Sequence, residues 1–126
     1  MPFCINLNPI HSVVESYLSG DVSTQELTDA FHETFILVRQ YGTRLIFTDC
    51  SALKGGFSLF DSYPLLKELD SSEEHRALKQ AIVLPMSAHL TRSFKFWETS
   101  CNNRGYRVKT FSCRQSAFYW LLQKVS

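Results

Sequence analysis

The stretch Ser23–Asp49, STQELTDAFHETFILVRQYGTRLIFTD, holds a complete helix followed at once by a short apolar strand, and that succession sets the fold class. Ser23 and Glu26 form an S-x-x-E capping box, in which each side chain satisfies an amide of the opposite turn. Leu27, Phe31, Phe35, Val38 and Tyr41 recur at helical spacing, and Gly42 stands where a C-terminal glycine belongs. RLIFTD then reads as a buried strand. A helix with both ends marked, running straight into an apolar strand, is the repeating unit of an α/β protein.

The neighbouring segments extend the alternation in both directions. Upstream, FCINLN and HSVVESYL are extended candidates separated by the turn signal Asn8-Pro9, which predicts an antiparallel hairpin whose second strand ends at Gly20-Asp21. Downstream, a loop, SALKGGFS, leads to a second helix over roughly 62–70 with Pro64 in its first turn. Residues 71–77 are polar and finish a helix or loop, and KQAIVLP reads as an interior strand, apolar on both faces. Leu90, Phe94, Trp97 and Cys101 then share one helical face, stopped by Asn103 and Gly105. YRVKTF alternates as a last strand. Ser112 is placed to cap a final helix whose buried stripe is Ala117, Trp120, Leu121 and Val125. The order β-β-α-β-α-β-α-β-α predicts an N-terminal antiparallel hairpin joined to a mostly parallel sheet of about five strands with four helices.

Composition narrows the function classes. At 126 residues, with 44% apolar and 20% charged residues, the chain reads as one soluble domain spanning 1–126. Its seventeen aromatics (ten Phe, five Tyr, two Trp) point to a well-filled interior or a contact surface. No apolar run is long enough to span a bilayer, and the first residues carry no secretory signal pattern, so a cytosolic location is expected. Cys4, Cys50, Cys101 and Cys113 lack C-x-x-C spacing and are expected as reduced thiols. The formal charge of +1 hides an asymmetry: residues 1–91 carry six Lys/Arg against eleven Asp/Glu, residues 92–126 seven against Glu98 alone. A bipolar surface suits self-association or an acidic protein partner better than nucleic acid.

Several pieces also occur together in a known pattern. G-D-V-S-x-x-E-L at Gly20–Leu27, D-x-S at Asp49–Ser51, N-R-G-Y-R-V-K-T-F at Asn103–Phe111 and S-A-F-Y-W-L-L at Ser116–Leu122 resemble the SpoIIAA-like family. The resemblance runs from about Ile10 to Leu122 and implies the STAS-like, anti-sigma-factor-antagonist fold. It implies no reaction, since one fold hosts several roles. In phosphorylatable STAS proteins the loop after the central strand carries D-x-S-x-[VI]-D-S-x-G, whose D-S serine begins a helix and is phosphorylated by a partner kinase. Asp49, Ser51 and Leu53 match the first part and Asp61-Ser62 the D-S step, with about seven further residues, Lys54–Phe60, between them. Read from the residues alone, Ser62 caps the helix before Pro64.

The remaining candidates for chemistry are few. Cys50 ends a strand, where open α/β sheets place ligands, but no histidine stands at a spacing that marks a base, so a buried structural thiol is expected. Gly55-Gly56 lacks any phosphate-loop pattern and reads as loop flexibility. No metal-ligand spacing occurs, and Asp49 and Asp61 are explained by a turn and a helix start. Arg104, Arg107 and Lys109 either line one edge or solvate a strand face. Phe57, Phe60 and Tyr63 cluster beside the long loop, where they either cover an apolar pocket or a partner surface, or anchor the loop. The expectation is a non-catalytic regulatory or protein-interaction module without a cofactor, self-associating as a homodimer. The alternative is a binder of a small apolar or lipid-like ligand in a pocket near the Lys54–Tyr63 loop.

Overall fold

A computed structural model of the chain describes residues 2–57 and 63–123. Strands β1 (Phe3–Asn8), β2 (Val13–Asp21), β3 (Leu45–Gly55), β4 (Lys79–Val83) and β5 (Arg107–Phe111) alternate with helices α1 (Thr24–Tyr41), α2 (Tyr63–Asp70), α3 (Ala88–Asn103) and α4 (Arg114–Leu121). A 3₁₀ turn, Glu73–Ala77, joins α2 to β4. The sheet order is β1-β2-β3-β4-β5, antiparallel between β1 and β2 and parallel thereafter.

That sequential order dictates the layers. Each parallel connection advances by one strand in the same direction, and right-handed crossovers that keep one direction place every connecting helix on one face. Ala30 of α1, Leu66 and Leu69 of α2, and Leu90, Phe94 and Cys101 of α3 accordingly share one apolar cluster with Cys50, Ile82 and Val108 of the sheet. The opposite face is left to α4, where Ala117 and Leu121 pack on Val13, Phe47, Ala81 and Val83.

The α1 capping box and the left-handed Gly42 (φ 63°) form as the sequence predicts. The buried line of α1 is instead Ala30, Thr34 and Val38, while Tyr41 is exposed. Small residues let α1 approach β1 and β2 closely, and the Thr34 and Ser16 hydroxyls meet at 3.0 Å. The Leu27, Phe31 and Phe35 edge lies beside this line and remains partly buried.

β3 is longer than the predicted strand, which ended near Ser51. Asp49 pairs with Tyr17 of β2, but Ala52 pairs with Ser19, and Leu53 with Gly20 before Gly55 with Asp21. Each step puts one extra residue on β3, a bulge that re-aims the chain. Cys50 and Leu53 therefore both point inward although three residues apart. Gly55 accepts a backbone hydrogen bond from Val22 at 2.9 Å. Gly56, at φ 110°, lies so close that a β-carbon would stand 2.3 Å from the Val22 carbonyl oxygen. The glycine pair serves close backbone approach, not loop flexibility.

On the other face α4 is fastened at both ends. Its N-cap is Cys113, not Ser112, and no side chain caps it. Trp120 of the predicted stripe is partly buried and Val125 lies outside the described residues. At its start, Arg114 sits 4.8 and 4.6 Å from the ring centroids of Phe47 and Phe118, donates to the Tyr17 hydroxyl at 2.7 Å and pairs with Glu15 at 3.4 Å. Glu15 is buried and also accepts from Asn8 (2.8 Å) and from Tyr17. At its end, the buried Lys79 ammonium donates to the carbonyls of Trp120 (2.6 Å) and Leu121 (3.3 Å), where helix carbonyls lack partners and the dipole favours a cation.

Burial alone would raise the Glu15 carboxyl, but hydrogen bonds from Tyr17 and Asn8 and the Arg114 charge outweigh it, holding the group below its ordinary 4.5. A carboxyl depressed on folding contributes stability that is complete above its unfolded value and is lost as pH falls through the lower, folded one. Arg114→Met is expected to cost about 1–2 kcal/mol at pH 7, the half-exposed guanidinium limiting the effect. That cost should shrink as urea midpoints are followed from pH 6 down past 4.5. A cost that stays constant over that interval would show that Arg114 acts through packing alone.

Candidate functional site

Between the sheet and the three crossover helices lies a cavity of about 120 Å³. Its origin follows from unequal cover. α1 packs over β1 and β2 and α3 over β5, so the middle strands are left to α2, which has only eight residues. Ile46 and Thr48 of β3 with Gln80 and Ile82 of β4 form the floor. Phe31 and Phe35 stand on the α1 side, Phe94 and Trp97 on the α3 side, and Leu65 and Leu69 of α2 with Phe57 are also among the lining residues.

The walls are held by aromatic contacts. Phe31 packs on Phe35 with centroids 4.5 Å apart and meets Trp97 edge-on at 6.3 Å, while Phe57 meets Phe94 edge-on at 5.7 Å. A polar ladder crosses the floor: the Trp97 indole donates to Gln80 Oε1 (3.0 Å), and Gln80 Nε2 donates to Thr48 Oγ1 (2.9 Å). Helix α2 is tied to both flanks. Glu68 accepts from His32 Nε2 of α1 at 2.8 Å, and Asp70 accepts from Arg104 Nε and the Tyr106 hydroxyl, each at 2.9 Å. The Arg104 and Tyr106 hydrogen bonds hold the Asp70 carboxyl below the usual range. Burial, then the Asp70 carboxylate, pushes the Tyr106 phenol up to about 12.

The residues singled out in the sequence separate into distinct places. Phe57 lines the cavity, whereas Tyr63 is exposed, with the Lys67 ammonium 5.2 Å from its ring centroid. Asp49 and Ser51 form a local turn contact, the Asp49 carboxylate accepting from the Ser51 amide (2.9 Å) and hydroxyl (2.6 Å). Phe60, Asp61 and Ser62 lie outside the described residues, so the D-S step and any meeting of Asp49 with Asp61 lie outside them too. Arg104 reaches α2, Arg107 donates to the Ala77 carbonyl (3.2 Å), and Lys109 sits 5.7 Å from the Phe111 ring centroid. They do not act as one patch. Gln80, His75 and Ser93, all on the lining, were not among the sequence candidates. The signal was present: a glutamine inside an apolar strand, and a serine three residues after Leu90 on the apolar stripe of α3.

The cysteines divide into two buried and two exposed thiols. Burial, then the nearby Asp49 charge, pushes the Cys50 thiol far up. Burial also carries Cys101 up to about 12. Hydrogen bonding with Ser116 lowers the exposed Cys113 thiol. Among the described residues no group of three His, Cys, Asp or Glu side chains stands ready for a metal ion, and no helix is long and apolar enough to cross a membrane.

The half-covered five-stranded sheet, with three helices on one face and one on the other, defines an α/β sandwich with an N-terminal hairpin. Among solved structures the chain is similar to an uncharacterised protein of the DUF3478 family from Shewanella loihica PV-4, described as having a SpoIIAA-like fold. The two are 17% identical, the match covers 94% of this chain and 93% of that one, and the TM-score is 0.56. The chain therefore has the SpoIIAA-like fold that its sequence motifs resemble. No protein-family model matches the chain, and no curated protein matches it.

Titration of the native protein with a chromogenic disulfide at pH 8 is expected to label two thiols, Cys4 and Cys113, and all four only after denaturation. Rapid native labelling of Cys50 would overturn its placement in the core.

Proposed function

We propose that this SpoIIAA-like domain is a non-catalytic module that binds a small apolar molecule between its sheet and helices α1–α3. The observation that carries this reading is the cavity itself. Well-packed interiors leave few voids larger than a water molecule, and large apolar voids lower stability. A hollow of about 120 Å³ lined by several aromatics, with its polar floor groups bonded to one another, is suited to an apolar guest. An engineered apolar cavity of about 150 Å³ takes up benzene, so this volume favours a single ring or a short branched chain over a full lipid. The regulatory role expected from the sequence then becomes ligand sensing, relayed through α2, which is tied to the middle of α1 by Glu68–His32 and to the C-terminal end of α3 by Asp70–Arg104.

Toluene is a probe of suitable size. Titration into the protein, followed by the Trp97 indole N–H resonance, is expected to saturate. Leu27→Trp, at the partly buried rim, should fill the space and abolish the response while circular dichroism stays unchanged. A resonance that toluene does not move, or moves equally in Leu27→Trp, would dismiss the cavity as a binding site.

A further inference from the structure

Two polar atoms set this cavity apart from a plain apolar void. Among the described residues, His75 Nε2 and Ser93 Oγ are the buried side-chain atoms without a hydrogen-bond partner, and both residues line the cavity. Each residue is more than nine-tenths buried, at 8% and 6% exposure. Leaving a buried polar atom unpaired costs about 1–3 kcal/mol, so two on residues lining the same cavity call for an explanation by what the cavity receives.

The His75 hydrogen bonding fixes what that is. Its Nδ1 lies 3.0 Å from the Leu69 carbonyl oxygen, which only accepts, so Nδ1 carries the proton. In the neutral imidazole Nε2 is then a bare acceptor. The ring is held against Phe35, centroids 4.8 Å apart, which fixes its direction. A partner for Nε2 must be a donor. Ser93, whose hydroxyl both donates and accepts, satisfies either kind of group. The permanently charged residue on the lining is Arg107, whose exposed guanidinium already donates to Ala77, so the lining offers no buried cation to an anionic guest. We infer that the ligand is a neutral molecule with a ring-sized apolar body and a hydroxyl, such as a phenol or short alcohol, whose O–H donates to His75 Nε2. The apolar body fills the space among Phe31, Phe94 and Ile82. This deepens the binding reading above and rests on it.

Three probes of near-equal size separate the two ideas: phenol, anisole (the same oxygen without its proton) and toluene. Calorimetric titration at pH 8 of the wild-type protein is expected to give phenol at least a tenfold lower Kd than anisole or toluene, the worth of one buried hydrogen bond. Ser93→Ala should keep part of that preference and His75→Phe remove it, the preference being read in each variant as the ratio of its own anisole and phenol Kd values. If toluene binds and phenol gains nothing over anisole, the donor inference is overturned and the cavity reading survives. If none of the three binds, both fall. Should His75→Phe fail to fold, the phenol–anisole comparison on the unmodified chain still decides.

Discussion

The structure depends on one topological constraint: the parallel strands follow one another in sequence order, so every right-handed crossover returns over the same face of the sheet. Three helices must share that face. The first and third take its margins, and the eight-residue α2 is too short to close the centre by itself. The cavity is what remains over β3 and β4. It is a product of the fold's order and of the length of one helix, and the side chains that line it come from segments spread over most of the chain.

The same constraint explains the opposite face. With no crossover helix available there, α4 has to cover the middle of the sheet with eight residues; Ala117 and Leu121 are fully buried, and Phe118 and Trp120 pack partly buried beside them. Two charged side chains that a purely apolar sheet would not carry, Glu15 and Lys79, anchor its two ends. Breaking a buried ion pair by removing one partner is costlier than replacing it as a whole, so Glu15 and Arg114 act as a unit. The two faces thus differ in kind. One is sealed by a small helix pinned with charges, the other is vaulted by three helices around a hollow.

Much of this was legible in the sequence, and the misses have physical causes. The α1 capping box and Gly42 are local signals, and both form in the structure. The apolar stripe Leu90–Phe94–Trp97–Cys101 is buried or partly buried as its spacing predicts. β3 runs beyond the strand that the alternation predicts, because its bulges take up the extra residues and break the pattern that marks a strand in sequence. The α4 cap lies one residue beyond Ser112 because Cys113 caps by backbone geometry without a side-chain bond. Phe31 and Phe35 read as core, and they became walls, since helical periodicity identifies an apolar face without saying what it faces. Strand order, and with it the cavity, was not readable from local pattern at all. Gln80 and Ser93 were the traces it left, polar residues at positions where the period demands apolar ones.

The central claim is that the three-helix face encloses a real, accessible apolar space. Crystals of the protein pressurised with xenon test it most directly, because xenon enters dry apolar cavities and is seen without any assumption about the natural ligand. The account predicts a single strong xenon site bounded by Phe31, Phe94, Ile82 and Leu65, with little change in the backbone. An empty map there, with Phe57 and α2 collapsed onto Ile82 and Thr48, would contradict it.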